Sequence, residues 1–197
     1  PVRFIGNRSS GRMGAAVAGA ALARGARVIL ITGPTALPPP PGAEIVPVET
    51  AEEMRAAVLA ALPEADAVVM AAAVADFRPA ERAGRKLKKE AGPPRIELVP
   101  TSDILKELQR VAGRQVLVGF AAETEDLEEA ARKKLVDKAV DLVVANEVGT
   151  PGTGFSSETN RALIVARDGD DTPLRAYTKA ELADVVLDRV VRLMTQR

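Results

Sequence analysis

Short apolar runs alternate with longer stretches of mixed polarity along the whole chain. Residues 28–32 form a compact β-branched run closed by Gly33 and Pro34, and residues 44–48 form a second run of strand length. Residues 67–72, 116–120 and 142–145 are continuously apolar, the pattern of strands covered on both faces. A later run, 162–166, reads as a strand at an edge, and Val2, Phe4 and Ile5 form a strand-like opening. Between these runs lie helical stretches. Residues 15–24 are alanine-rich and stop at Gly25. Thr50 and Glu53 have the spacing of a capping box and open a helix to about residue 62. Residues 103–111 and 125–138 are helical, and Thr178 with Glu181 opens a C-terminal helix. The alternation predicts an α/β protein: a three-layer α/β/α, Rossmann-like, doubly wound fold with a mostly parallel sheet. Such sheets bind ligands beyond the carboxyl ends of their strands. That directs attention to the segments from Gly33 onward, 73–78, 121–124 and 146–153.

Two segments break the pattern. Residues 37–42 are proline-rich and read as a rigid surface connection. Residues 81–95 are highly charged, end in Gly92-Pro93-Pro94 and have no helical apolar face. They read as a mobile flap over a site.

The chain has 197 residues, 47 % of them hydrophobic and 27 % charged, so 1–197 is expected to be one globular domain. Lys and Arg number 27, as do Asp and Glu, so no net charge points to nucleic acid or to a membrane. The absence of Cys excludes disulfides and thiol nucleophiles and fits a reducing compartment such as the cytoplasm. The absence of His removes the commonest general base and metal ligand, which argues against triad hydrolysis and a zinc site. No run is apolar and long enough to span a membrane, and no signal peptide is visible. The chain opens almost inside a strand, which suggests an excerpt of a longer protein.

Candidate chemistry clusters near the predicted strand ends. Asn7-Arg8-Ser9-Ser10-Gly11-Arg12-Met13-Gly14 lies where a strand hands over to a helix. It is either a cradle for a phosphate or carboxylate or a serine-capped helix start. Arg85, Lys86, Lys88 and Lys89 suit a polyphosphate or a solvated loop. Asp76 suits Mg²⁺, a sugar hydroxyl or a cap. Phe120 suits a stacked base or the core. Glu123 is a ligand or a helix-start residue. Lys134 and Lys138 share a helix face and either grip a nucleotide or face water. Asn146 closes a strand ahead of the turn-rich 149–154.

In chain order, Asn-x-Ser-Ser-Gly-x-Met-Gly, Ala-Ala-Val-Ala-Asp-Phe-Arg-Pro, Lys-x-Lys-Lys, Gly-Phe-Ala-Ala-Glu-Thr and Asp-Leu-Val-Val-Ala-Asn resemble phosphopantothenoylcysteine synthetase across nearly the whole chain. The resemblance implies a ligase of coenzyme A biosynthesis that joins 4′-phosphopantothenate to L-cysteine. It would use CTP and Mg²⁺ and pass through an acyl-cytidylate. It implies catalytic roles for Asn7 and Lys86, and substrate contacts from Asn7, Ser9, Ser10, Gly11, Met13, Ala72 and Asn146. Nucleotide contacts would come from Asp76, Lys86, Ser102, Asp103, Ile104, Leu105, Phe120, Lys134 and Lys138, with Asp76 also at the metal. It further implies a homodimer with the site near the interface and, in many bacteria, a flavin-dependent decarboxylase half upstream. Arg12 stands where many members have Lys, and Ser102 where a Pro is frequent. Two competing readings are an NAD(P)-dependent Rossmann oxidoreductase and a noncatalytic nucleotide-binding module. Against the first, no Gly-x-Gly-x-x-Gly follows a visible strand, and the one tyrosine is Tyr177.

Overall fold

A computed structural model describes residues 4–7, 9–81, 84, 95–149 and 159–197. In chain order the elements are α1 (Arg12–Ala23), β1 (Ile29–Thr32), β2 (Glu44–Pro47), α2 (Ala51–Ala61), β3 (Ala67–Met70), β4 (Phe77–Pro79) and β5 (Leu98–Pro100). They continue as α3 (Ile104–Val111), β6 (Val116–Glu123), α4 (Leu127–Asp137), β7 (Leu142–Glu147), β8 (Thr159–Ala166), β9 (Thr172–Thr178) and α5 (Lys179–Thr195).

The principal sheet has the order β3-β6-β7-β8-β9. Its apolar strands alternate sides, as the pleat requires. Leu117, Ala121, Val143 and Ala145 face one layer, where they meet Met54 and Val58 of α2, Ile104 and Leu108 of α3, and Ala131 of α4. Val116, Val118, Leu142 and Val144 face the other, beneath Leu182, Val186 and Val190 of α5. Val17 of α1 joins Ala183 and Leu187 in the same layer. The fold is therefore α/β with helices on both sides. Both capping boxes form as the spacing predicts, Thr50 with Glu53 and Thr178 with Glu181.

Several expectations change in detail. The sheet is mixed: β3, β6 and β7 are parallel, whereas β7–β8 and β8–β9 are antiparallel. An antiparallel return needs no crossover helix, and no helical pattern separates these three strands in the sequence. Strand β8 is interior, not an edge; the edge on that side is β9, which the sequence reading missed because its alternation is interrupted by Pro173 and Arg175. Strands β4 and β5 form a separate antiparallel ribbon with three residues each, too short to show a period. Phe4 and Ile5 belong to no strand and are exposed. Most of the expected flap at 81–95 lies outside the described residues.

Candidate functional site

The carboxyl ends of β3, β6 and β7 share one edge of the sheet. The antiparallel strands bring the start of β8 and the end of β9, hence the start of α5, to that same edge. Most of the described residues singled out from the sequence lie along it or in the loops above it, and Lys138, the C-cap of α4, joins them through Asp103.

Helix α1 begins there without a capping side chain; its N-cap, Gly11, has φ 71°. The serine-capped reading of this start therefore does not hold. The Ser9 hydroxyl instead accepts a long hydrogen bond from the Gly11 amide, 3.4 Å, and the Ser10 carbonyl accepts one from the Thr35 hydroxyl, 3.3 Å. A Cβ at Gly11 would lie 3.2 Å from Thr35 Oγ1 as well as needing a left-handed backbone, so glycine is required twice over. An uncapped helix start with a closely approachable backbone is suited to an anion. Met13, half-buried, anchors this turn against the clusters beneath α5.

The loop after β3, residues 71–76, is tied on both sides. Asn7 Nδ2 donates to the Val74 carbonyl at 3.1 Å. Thr101, just after β5, donates its hydroxyl to the Ala75 carbonyl at 2.6 Å and its amide to the Asp76 carbonyl at 2.9 Å. Ala72 and the Asp76 side chain are exposed on this loop.

Beyond it, Asp103 caps α3, its carboxylate accepting from the Lys106 amide at 3.1 Å and pairing with Lys138 of α4. Burial alone would raise the Asp103 carboxyl. The Lys138 ammonium and the Lys106 amide outweigh it and hold the group below the usual carboxylate range. Ser102 is exposed ahead of the cap, whereas Ile104 is buried and Leu105 half-buried. Lys134, one turn before Lys138, donates to the Phe120 carbonyl at 2.6 Å. Burial pushes its ammonium below the ordinary lysine range and Lys138 adds to this, while Glu123, Asp103 and Asp76 act in the opposite direction. The Lys134–Phe120 bond and the Asp103–Lys138 pair together tie α4 to β6 and to the start of α3. The Phe120 ring points to the other face of the sheet, half-buried against the cluster under α5. Phe120 and Lys134 thus meet through the backbone of β6 and not through their side chains.

A second group surrounds Asn146 at the end of β7. Asn160 of β8 donates Nδ2 to Asn146 Oδ1 at 2.9 Å, and Lys179 of α5 donates Nζ to Asn160 Oδ1 at 2.6 Å. Burial, and then the nearby Arg12, lower the Lys179 ammonium below its ordinary range. Asn146 is paired with Ala122, so the two groups are neighbours across β6 and β7. The sequence reading passed over Asn160, Lys179, Thr35 and Thr101. Only Asn160 left a signal: it falls on an inward position of β8, where a buried amide needs partners.

Lys86 and its basic neighbours Arg85, Lys88 and Lys89 lie outside the described residues, as do residues 150–153. Among the described residues no three Asp, Glu, His or Cys side chains group as a metal site. One exposed carboxylate is nonetheless the donor set that Mg²⁺ takes when substrate phosphates supply the remaining oxygens, and Asp76 fits that description. No helix among the described residues is long and apolar enough to cross a membrane. A cavity of about 410 Å³ lies at the opposite edge, beside Leu117, Leu135, Asp141, Arg167 and Arg197, and none of the candidate residues lines it.

This arrangement has relatives. The family described as DNA/pantothenate metabolism flavoprotein C-terminal domain matches residues 1–194. The chain belongs to that family. It is 47 % identical over 197 residues to the coenzyme A biosynthesis bifunctional protein CoaBC of Bacillus subtilis (strain 168), covering 100 % of this chain and 48 % of that protein. The CoaBC protein of Mycobacterium tuberculosis (strain ATCC 25618 / H37Rv) is 45 % identical over 206 residues, covering 98 % and 49 %. The chain therefore spans about half the length of these family members. The crystal structure of a C-terminal domain of CoaBC superposes with a TM-score of 0.84 at 39 % identity, covering 100 % of this chain and 89 % of that one.

Proposed function

We propose that this chain is a phosphopantothenate–cysteine ligase domain that uses CTP and Mg²⁺ in coenzyme A biosynthesis. The observation that carries the reading is the loop 71–76. On one side it is held by Asn7, next to the uncapped start of α1. On the other it is held by Thr101, just ahead of the Asp103–Lys138 pair. An acid substrate on the cradle and a nucleotide beside α3 would meet over this loop. The name of the similar CoaBC proteins, which are called bifunctional and biosynthetic for coenzyme A, agrees with it.

In the first step a carboxylate oxygen of 4′-phosphopantothenate attacks the α-phosphorus of CTP. The bond to the β-phosphate breaks and pyrophosphate leaves. In the second step the amine of L-cysteine attacks the acyl carbon, CMP leaves, and the nitrogen loses a proton. The amides of α1 at Gly11 and Met13, with Ser9 and Ser10, hold the acid's anionic groups. Asn7 orients the acyl group over the loop. Ser102, Asp103, Ile104 and Leu105 present the start of α3 to the nucleotide. Lys134 and Lys138 offset its charge, the Phe120 segment flanks it, and Asn146 contacts the acid. Lys86 supplies a further cation where pyrophosphate forms. Asp76 would hold Mg²⁺, which neutralises triphosphate charge when bound.

The reading includes one domain over 1–197, a homodimer, a decarboxylase half upstream and a cytoplasmic location. The β4–β5 ribbon carries Phe77 and Leu98 exposed to 52 % and 45 %, next to Ile96 at 56 %, an apolar surface beside the site that a second copy would cover. Mixing the chain with CTP, Mg²⁺ and 4′-phosphopantothenate tests the function. Pyrophosphate is expected with CTP, followed by amide and CMP on adding L-cysteine. An absence of pyrophosphate with both CTP and ATP would overturn the reading.

A further inference from the structure

Lys179, Asn160 and Asn146 form a hydrogen-bonded series in which the donors and acceptors have a fixed sense. An ammonium only donates, so Asn160 must present Oδ1 to Lys179. Its Nδ2 then faces Asn146, which must answer with Oδ1. Flipping the Asn146 amide alone would set two NH₂ groups against each other. Flipping Asn160 would set an NH₂ against the ammonium. Without Lys179, both amides could flip together and keep the bond between them. Lys179 is therefore the group that removes the degeneracy.

We propose that Lys179 and Asn160 are positioning residues that fix the Asn146 amide with its oxygen inward and its Nδ2 donors committed to an oxygen atom of the bound acid. The inference rests on Asn146 contacting the acid substrate, as in the reading above. Three features support it. Asn160 is buried, so an unmatched amide there is costly. The three residues come from β7, β8 and α5, which packing holds rigidly against one another. Arg12, at the start of α1, is close enough to add to the burial that lowers the Lys179 ammonium, so this end of the series adjoins the α1 cradle.

The test is a double-mutant cycle with Lys179→Met and Asn146→Ala, with a conservative Lys179→Gln variant whose amide can still donate to Asn160. Lys179→Met should raise KM for 4′-phosphopantothenate about tenfold, the factor set by one hydrogen bond of ordinary strength. Lys179→Gln should recover part of that. In the Asn146→Ala background the Lys179→Met change should add less than about twofold, because its effect passes through Asn146. The same factor in both backgrounds, or no effect in the first, would overturn the proposal. A readout without turnover separates this from failure of the ligase reading. The side-chain amide signals of Asn146 and Asn160 in a ¹⁵N NMR spectrum should shift and broaden in Lys179→Met. Unchanged signals would sink the positioning role even in an active enzyme, and shifted signals in an inactive chain would uphold it while refuting the ligase.

Discussion

Gly119 leaves the space that Leu105 occupies: a Cβ at residue 119 would lie 3.1 Å from Leu105 Cδ1. The first turn of α3 thereby seats directly on β6, one residue before Phe120, and carries Ser102 and Asp103 to the sheet edge. Gly119→Ala should displace that turn and destabilise the fold by about 1–2 kcal/mol, as overpacking does. CTP affinity should weaken with it. Adding Leu105→Ala should restore much of the CTP affinity, measured by calorimetry. A double variant no better than the single one would show that the contact does not set the position of α3.

Asn7→Asp removes the donor that reaches Val74 and places a carboxylate against that carbonyl. Acyl-cytidylate should accumulate and cysteine ligation should slow, on the order of 100-fold if the amide stabilises the acyl oxygen during attack. Rapid-quench assays with labelled CTP separate the two steps. Normal conversion of intermediate to amide would assign Asn7 a purely structural part.

Asp103 is held ionised below the usual carboxylate range, so its contribution to stability is present above the unfolded value near about 3.9 and fades as pH falls through the lower folded value. Asparagine also caps helices, so Asp103→Asn isolates the charge. At neutral pH the variant should be less stable by about 0.5 kcal/mol, a small figure because the pair is partly exposed to water. The gap should close in acid. Urea midpoints across pH 2–7 check this (roughly the window in which carboxylates titrate). A constant gap would mean that the pair with Lys138 contributes nothing.

Tyr177 is 2 % exposed and its hydroxyl has no hydrogen-bond partner among the described residues, while the Arg175 guanidinium lies 4.4 Å from the ring centre. Tyr177→Phe keeps the ring and removes the unmatched oxygen. Thermal denaturation should show a gain of about 1 kcal/mol, the lower end of the cost of such a group. A loss of that size would reveal a partner for the hydroxyl.

Lys86→Gln should slow acyl-cytidylate formation on the order of 100-fold, the usual effect of removing one preorganised charge from a transition state. CTP affinity should change far less. Normal rates would reduce Lys86 to one more cation of a charged loop.

Much of this molecule could be read from local pattern. The buried strands were legible because β6 and β7 are covered on both faces and so read as unbroken apolar runs. The helices were legible because Thr50 and Thr178 carry their glutamate partners three residues on. The direction of β8 was not legible, since a strand covered on both faces reads alike in either orientation. At the site, the sequence showed single residues without their partners. The pairing of Asp103 with Lys138 spans 35 residues, and Asn7 reaches Val74 across 67. Lys134 read as sharing a helix face with Lys138, either to grip a nucleotide or to face water; that its Nζ turns to the Phe120 carbonyl was not legible. Such facts belong to the packing of α4 on the sheet and have no local signature.

Helix α1 rests on α5, with Val17 against Ala183 and Leu187, and Arg24 bonded to Asp184 across 160 residues. The turn at Gly11 therefore depends on a segment synthesised about 160 residues after α1. As the chain leaves the ribosome, α2, α3, α4 and the parallel strands have their neighbours at hand, while α1 must wait for a partner made about 160 residues later. Closing so long a loop is slow compared with local pairing. Until it closes, the α3 and α4 surfaces can form without the turn at Gly11. On the ligase reading proposed above, a nascent chain at that stage holds the nucleotide side of the site without the acid side.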